Sequence, residues 1–514
     1  MNAKIRRQLQ GRKRRIEKRL DKTSMGCESP VFSASNIQYE IADRNQAISA
    51  GGIGMMHQIT KQLELPEMIN QTLGLLKIYL PYSESDHVLN IAYNLLAGGT
   101  CLEHLELRRN DEAYLNALGA QRIPDPTTAG DFCRRFDGVS IYGLMEVFNE
   151  ARLKVWRQQP DDFFDEAVID ADGTMVETKG ECKEGIDINY KGQWGYHPLV
   201  ISLANTKEPL YLLNRSGNRP SHEGAAPYLT SAAKLCRRAG FRKIRMRGDT
   251  DFSQTEHLDA WDEDGVSFVF GMDATDALYE KAENVLEEEW ETLQREARYE
   301  VKTQSRARPE NVKQAVVESR EFTDIRLIKE HVAEFPYQPA ACRKTYRMVV
   351  VWKDLEVHKG QKMLFEQTRC FFYLTNDWDK TAAEIVFDAN DRCDQENLIA
   401  QVKNDVQSLT APLDSLSSNW AYMVIASLAW SLKAWAALLL PVNGRWRGKH
   451  GRKAVTATNG LYNVSQRDDQ CSSADNSHGK KTDLPTAWLE SLAACLLPIV
   501  RSTTTTASLL TNSF

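Results

Sequence analysis

The spacing of apolar and polar positions changes once along the chain. From about residue 50 to 155 it is helical. Val88, Ile91, Ala92 and Leu95 recur at i, i+3, i+4 and i+7, which sets them on one face of a helix. The segment PDPTTAGDFCRRF (124–136) predicts a Pro-rich turn, a cap and a short helix ending in Arg134 and Arg135. A helix-turn-helix reader of DNA fits this region, and an ordinary helical packing domain fits it as well. From residue 165 short apolar runs take over. EAVIDADG, YHPLVISLAN and PLYLLNRSG read as three strands, APYLTSAAKLCRRAG as a helix and KIRMRGD as a fourth strand. Further on, SFVFGM, YRMVVVWKDLEV and RCFFYLTN predict more strands, and ALYEKAENVLEEEWETLQREARYEV a charged helix. WAYMVIASLAWSLKAWAALLLP is apolar enough for a membrane span, but Lys433 and its serines favour a buried helix.

Three acids stand out against this pattern. Asp172 and Asp249 end the first and fourth strands, and Glu396 lies on an amphipathic helix in DRCDQENLIAQVK. Carboxylates from two strand ends and one helix can converge on one point, and such clusters hold paired Mg²⁺ ions for phosphodiester chemistry. Asp170 and Asp172 alternate to the same strand face, so spacing alone does not choose between them. Arg392, Glu396 and Lys403 are spaced i, i+4 and i+11. At about 100° per residue they share one helix face, with two cations flanking a carboxylate. The competing reading is an ordinary Arg–Glu pair on a solvated helix.

That segment contains R-x3-E-x6-K, and here the chain resembles the insertion-sequence DDE transposases, whose signature around the catalytic glutamate is Y-x2-R-x3-E-x6-K. Arg392, Glu396 and Lys403 match it; the tyrosine position falls on Ala389, with Phe387 the nearest aromatic. YSESDHVLNIAYNLLAGGTCLEHLELRRND, PDPTTAGDFCRRF and FFYLTN extend the resemblance over roughly residues 80 to 440. It implies an α/β fold: a ribonuclease H-like catalytic core interrupted by a strand-rich insertion and preceded by a helical domain. It also implies that Asp172, Asp249 and Glu396 are the catalytic metal ligands. The D-x-T pattern of the family favours Asp172 as the first acid and leaves Asp170 as the alternative ligand. Two Mg²⁺ ions, or Mn²⁺, are then expected to activate the nucleophile and stabilise the leaving oxygen. Arg392 and Lys403 are expected to position DNA phosphates. The implied partners are terminal inverted repeats and target DNA, with a homodimer in the synaptic complex.

On this reading the chain divides into a basic arm (1–23), a helical DNA-binding domain (24–160), the first part of the core (161–260), the insertion (261–380), the second part of the core with the glutamate helix (381–450) and a divergent tail (451–514). The 147 residues between Asp249 and Glu396 are too many for a loop. Relatives that cut through a hairpin intermediate carry an insertion-domain tryptophan that stacks on a flipped base. Trp352 and Trp290 are available for that role or for core packing.

Composition changes the picture little. The 514 residues are 42% hydrophobic and 26% charged, with net charge −6, so DNA binding must rest on local patches. Residues 1–23 carry ten Lys or Arg against Glu17 and Asp21, a DNA-contacting arm or a solvated tail. A second basic stretch runs from Arg215 to Arg247, and Arg247 beside the second aspartate is an expected DNA contact. Ten cysteines without a C-x-x-C pair, and no apolar leader at the N-terminus, are consistent with a cytoplasmic protein. Two rivals remain. VIDADGT also resembles the nucleophile loop of haloacid dehalogenase-like phosphatases, with Asp170 attacking phosphorus and Asp172 as acid/base. A protein that binds transposon ends but has lost catalysis, through Ala389 or the tail, is the other.

Overall fold

A computed structural model describes residues 52–77, 81–295, 323–359 and 362–439, with Ala50 and a few positions between Arg7 and Arg14. The chain forms two compact units, Met1–Ala47 and Ile48–Phe514. The basic arm falls almost wholly outside the described residues, as does the whole tail 451–514, and the elements below belong to the second unit.

Among the described residues from Ile53 on, seven α-helices come first: α1 (Ile53–Gln62), α2 (Leu65–Thr72), α3 (Glu84–Leu96), α4 (Leu105–Arg109), α5 (Glu112–Leu118), α6 (Pro126–Cys133) and α7 (Gly138–Trp156). The apolar face expected on α3 is buried at Val88, Ile91, Ala92 and Leu95. The 124–136 segment folds as its residues dictate. Asp125 caps α6 by accepting from Thr128 N at 2.9 Å, and Pro126 takes the first turn, where its missing N–H costs nothing.

Twelve strands follow: β1 (Glu166–Gly173), β2 (Val176–Glu177), β3 (Asp187–Ile188), β4 (Trp194–Tyr196), β5 (Leu199–Leu203), β6 (Glu208–Leu213), β7 (Lys243–Gly248), β8 (Val266–Met272), β9 (Glu291–Thr292), β10 (Thr323–Tyr337), β11 (Tyr346–Lys359) and β12 (Lys362–Thr375). Nine of them build one mixed sheet in the order β6-β5-β1-β7-β8-β12-β11-β10-β9. β1 pairs antiparallel with β5 and parallel with β7, and β7 pairs parallel with β8. Helix α8 (Ala225–Ala239) links β6 to β7, and α9 (Thr255–Glu263) links β7 to β8. The short strands β2, β4 and β3 form a separate sheet.

The strand-rich segment joins this sheet instead of forming a body of its own. β12 pairs with β8, Phe372 opposite Met272 through Thr375 opposite Val269, and β11 and β10 follow antiparallel. The boundary expected at residue 261 falls inside α9, and β8, just beyond it, is the neighbour of β7. The central strands therefore run on to Met272 before the added strands begin. The expected charged helix is also shorter. It is α10 (Asp276–Glu283); a 3-10 turn over Glu287–Glu289 and the strand β9 follow it, and the expected helix beyond residue 295 lies outside the described residues.

Two helices follow β12, α11 (Ala382–Asp391) and α12 (Cys393–Asn404). Ile385 and Val386 of α11 lie in a hydrophobic cluster with Val269 of β8, Val332 of β10, and Val349 and Val351 of β11. The added strands thus build the seat on which α11 rests. Helix α13 (Leu416–Leu438) has the length and apolarity to cross a membrane, but it packs against α3, α7 and β6. Its indoles find polar partners there: Trp430 donates to Lys207 O at 2.7 Å and Trp435 to the buried Glu208 at 2.6 Å.

Candidate active site

β1 carries Asp170 and Asp172 on one side, as alternation requires, but at different depths. In the parallel pairing Asp170 stands opposite Arg247 of β7. Arg247 Nε donates to Asp170 Oδ1 at 2.7 Å and Nη2 to Oδ2 at 2.8 Å. Asp170 is only 1% exposed. Burial pushes its carboxyl up, and the facing guanidinium opposes that push. Both carboxylate oxygens are therefore held, which removes Asp170 as a free ligand or as a nucleophile towards phosphorus.

Asp172 lies one strand repeat nearer the end of the sheet. Arg392 Nη1 donates to its Oδ2 at 3.4 Å, and Arg392 Nη2 lies 3.9 Å from Glu396 Oε1. Asp249 caps the turn after β7, accepting from Asp251 N at 3.0 Å. It lies within electrostatic reach of Asp172, Glu396 and Arg392. Burial pushes Asp172 up to about 6; Arg392 opposes this, while Asp249 and Glu396 add to it. Asp249 is also raised, chiefly by burial. So the three acids lie within electrostatic reach of one another, and the cation among them is Arg392. Among the described residues no three His, Cys, Asp or Glu side chains are already closed around a metal-sized point.

The helix face expected for Arg392, Glu396 and Lys403 is interrupted at its start. Arg392 is the joint between α11 and α12, in helical backbone conformation, so its side chain keeps the i, i+4 relation to Glu396. Lys403 Nζ donates to Met175 O at 2.8 Å, which ties the far end of α12 to the segment just after β1. Ala389, at the tyrosine position, packs with Phe387 against the α11 cluster.

A family model described as transposase DDE domain group 1 matches residues 31–449. The chain belongs to that family. No curated protein matches this transposase-family chain. Among solved structures it resembles a piggyBac transposase synaptic complex with hairpin DNA, at 10% identity and a TM-score of 0.36, covering 88% of this chain and 86% of that one. Likeness that slight transfers nothing to the site.

Several residues of this DDE-family chain sit elsewhere than expected. Arg247 is buried against Asp170, and its Nη1 donates to Asp388 O at 3.0 Å; a DNA phosphate has no access to it. The rest of the basic stretch is largely matched by acids: Arg245 with Glu166, Asp377 and Asp388, Arg238 with Glu150, and Arg242 with Asp161 and Asp165. Trp352 is half-buried and meets Trp290 edge to face at 5.7 Å, the packing alternative for both.

Two residues near the acids went unread. Gln395 is buried, donating to Val200 O at 3.1 Å and accepting from Ser202 Oγ, and so pins α12 to β5. With Leu398, Ile399 and Val402 it makes an i, i+3, i+4, i+7 buried face, a signal present in the sequence. His197 lies against Gly173, where a Cβ would meet its Cε1 at 2.8 Å; only glycine allows that approach. Its Nδ1 is 3.0 Å from Arg219 O, a carbonyl that can only accept, so Nε2 is the bare acceptor of the neutral ring. Burial, followed by Arg215, lowers its pKa.

Proposed function

We propose that this chain is a metal-dependent DNA transposase, cutting and joining DNA at the terminal inverted repeats of an insertion sequence, with Asp172, Asp249 and Glu396 as its metal-binding acids. The observation that carries this reading is their grouping around Arg392 at the ends of the central strands β1 and β7, in a chain of the DDE family. The strand order β6-β5-β1-β7-β8, three antiparallel strands followed by two parallel to β1, supports a ribonuclease H-like core.

The donor set fits Mg²⁺ or Mn²⁺, since it consists of hard carboxylate oxygens; Asp172 is raised chiefly by burial, with Asp249 and Glu396 adding to it, and a bound cation would favour its charged form. When bound, such ions supply Lewis-acid stabilisation to an in-line displacement at phosphorus. The protein's own part is to hold the three carboxylates from β1, the end of β7 and α12. Gln395 fixes α12 on β5, and Lys403 fixes it on Met175. With a metal held by the acids, Arg392 would be the cation available to a DNA phosphate, and Lys403, on the same helix face, would be the second. The helices ahead of the core read the repeat, and two copies pair the two ends.

The test is Mg²⁺-dependent cleavage of DNA carrying the element's flanking inverted repeats, with wild type beside Glu396→Gln. Nicking at the repeat ends by wild type alone supports the reading. Nicking by both removes Glu396 from it, and binding without nicking by wild type indicates an end-binding protein that has lost catalysis.

A further inference from the structure

Among the described residues the most exposed large aromatic is Tyr190, 92% open to solvent, at the tip of the β3–β4 hairpin. Trp194 and Ile188, at the two sides of the same turn, are 50% and 43% exposed. The turn holding them is built before any partner arrives. Asn189 Oδ1 accepts from both Lys191 N and Gln193 N at 2.9 Å, and its Nδ2 donates to Gln193 Oε1 at 2.8 Å. Gly192 closes the turn at φ +80°, in the left-handed region that suits glycine. The Lys191 ammonium lies 5.3 Å from the centre of the Tyr190 ring. The nearest acids are engaged locally: Glu177 accepts from Gln193 Nε2, and Asp187 accepts from Ile188 N at 2.7 Å.

The root of the hairpin is fixed to the catalytic region. Tyr196 is buried and its hydroxyl donates to Glu184 O at 2.7 Å; Ser216 Oγ donates to Gly185 O at 2.6 Å. From Tyr196 the chain passes through His197 and Pro198 into β5, where Val200 pairs with Asp172. Tyr190 is ten residues from Val200. At ~3.3 Å per residue, with ~5 Å for the cross-strand step from Val200, the tip stands at most ~38 Å from Asp172, about one turn of duplex DNA.

From this we infer that the hairpin 186–196 is a DNA-contacting finger, whose Tyr190 and Trp194 rings stack on unpaired bases within about ten base pairs of the cut. A rigid turn presenting two aromatic rings and one cation matches a polynucleotide, which offers base faces beside phosphates. Continuity with the acids favours the strand being processed over a protein partner. The inference rests on the DNA-processing reading above.

The experiment uses the full chain and two probes: a fully paired duplex carrying the element's flanking repeat, and the same duplex with three unpaired nucleotides within ten base pairs of the repeat end, one of them 2-aminopurine. The proteins are wild type, Tyr190→Ala, Trp194→Ala and Tyr190→Phe. Wild type should bind the unpaired probe more tightly and change the 2-aminopurine emission. Each alanine variant should lose about tenfold in affinity for that probe, the effect of one base–aromatic stack. Tyr190→Phe, which keeps the ring, should stay near wild type. Tyr190 is so exposed that its loss leaves the fold intact, which a thermal melt checks. Wild-type binding matched by both alanine variants overturns the finger. No wild-type binding to either probe removes the DNA reading itself, and the finger with it.

Discussion

Asp170 and Asp172 stand two residues apart on one side of β1, and each meets an arginine, yet the two pairs differ in kind. Arg247 grips both oxygens of Asp170 inside the protein, at 2.7 and 2.8 Å. Arg392 reaches Asp172 at 3.4 Å and Glu396 at 3.9 Å, one cation loosely shared among acids at the sheet's end. The first pair is closed: both carboxylate oxygens and all three guanidinium nitrogens have a partner. The second is open, holding more negative charge than its cation matches at contact distance. Depth along the strand, a single pleat repeat, separates a structural ion pair from a site that invites a ligand.

The sharpest way to break that contrast is Asp172→Asn. It should lower Mg²⁺-dependent cleavage on the order of 10³-fold or more, the effect of losing several kcal/mol of transition-state stabilisation, with an unchanged fold by circular dichroism. Full activity in this variant would return Asp170 or another acid to consideration. Asp170→Ala should act in the opposite sense on the two readouts. Leaving Arg247 buried without its main partner should cost about 3–5 kcal/mol in denaturant unfolding, well above the cost of Asp172→Ala in the same assay. Equal losses would erase the distinction between the pairs.

A pH series sharpens it further. Asp172 titrates near 6 in the folded protein, above its ordinary carboxyl value of 3.8. Between those values the folded state holds a proton that the unfolded chain has released. Stability without metal should therefore fall as pH rises from about 4 to about 6, by about 3 kcal/mol from this group, and then level off. Asp172→Asn should flatten that slope in thermal melts, and Mg²⁺ should restore stability only on the alkaline side. A slope unaltered in the variant would place the titration elsewhere. The smallest expected effect is Ser202→Ala, which removes a buried hydrogen bond to Gln395. It should cost about 1 kcal/mol by denaturation and lower cleavage only a few-fold through the seating of α12.

Much of this architecture was legible from local pattern. The α3 face, the Asp125 cap and the strands β1, β5 and β6 all depend on neighbours within a few turns or one strand, and they fold where expected; the Arg392–Glu396 relation survives a break at Arg392. What stayed hidden depends on partners far along the chain. Arg247 reads as a DNA contact until Asp170, 77 residues earlier, and Asp388, 141 residues later, are brought beside it. YRMVVVWKDLEV and RCFFYLTN read as strands of an insertion over 261–380, and nothing local records that Phe372 will pair with Met272. Gln395 is the exception. Its place on the buried face of α12 was open to reading, but the adjacent Glu396 drew the chemistry away from it.

The seam between β8 and β12 also sets a timetable. During synthesis Asp172 and Asp249 leave the ribosome early, and their strands can pair as soon as β8 is out. The seat of α11 is complete only when β10 and β11 join β8 in the sheet, and Glu396 follows on the next helix. On the proposed reading, a nascent or truncated product carries two acids and no cutting centre. On that reading a chain that stops before α12 cannot cut, and a half-made product is harmless to the genome that encodes it.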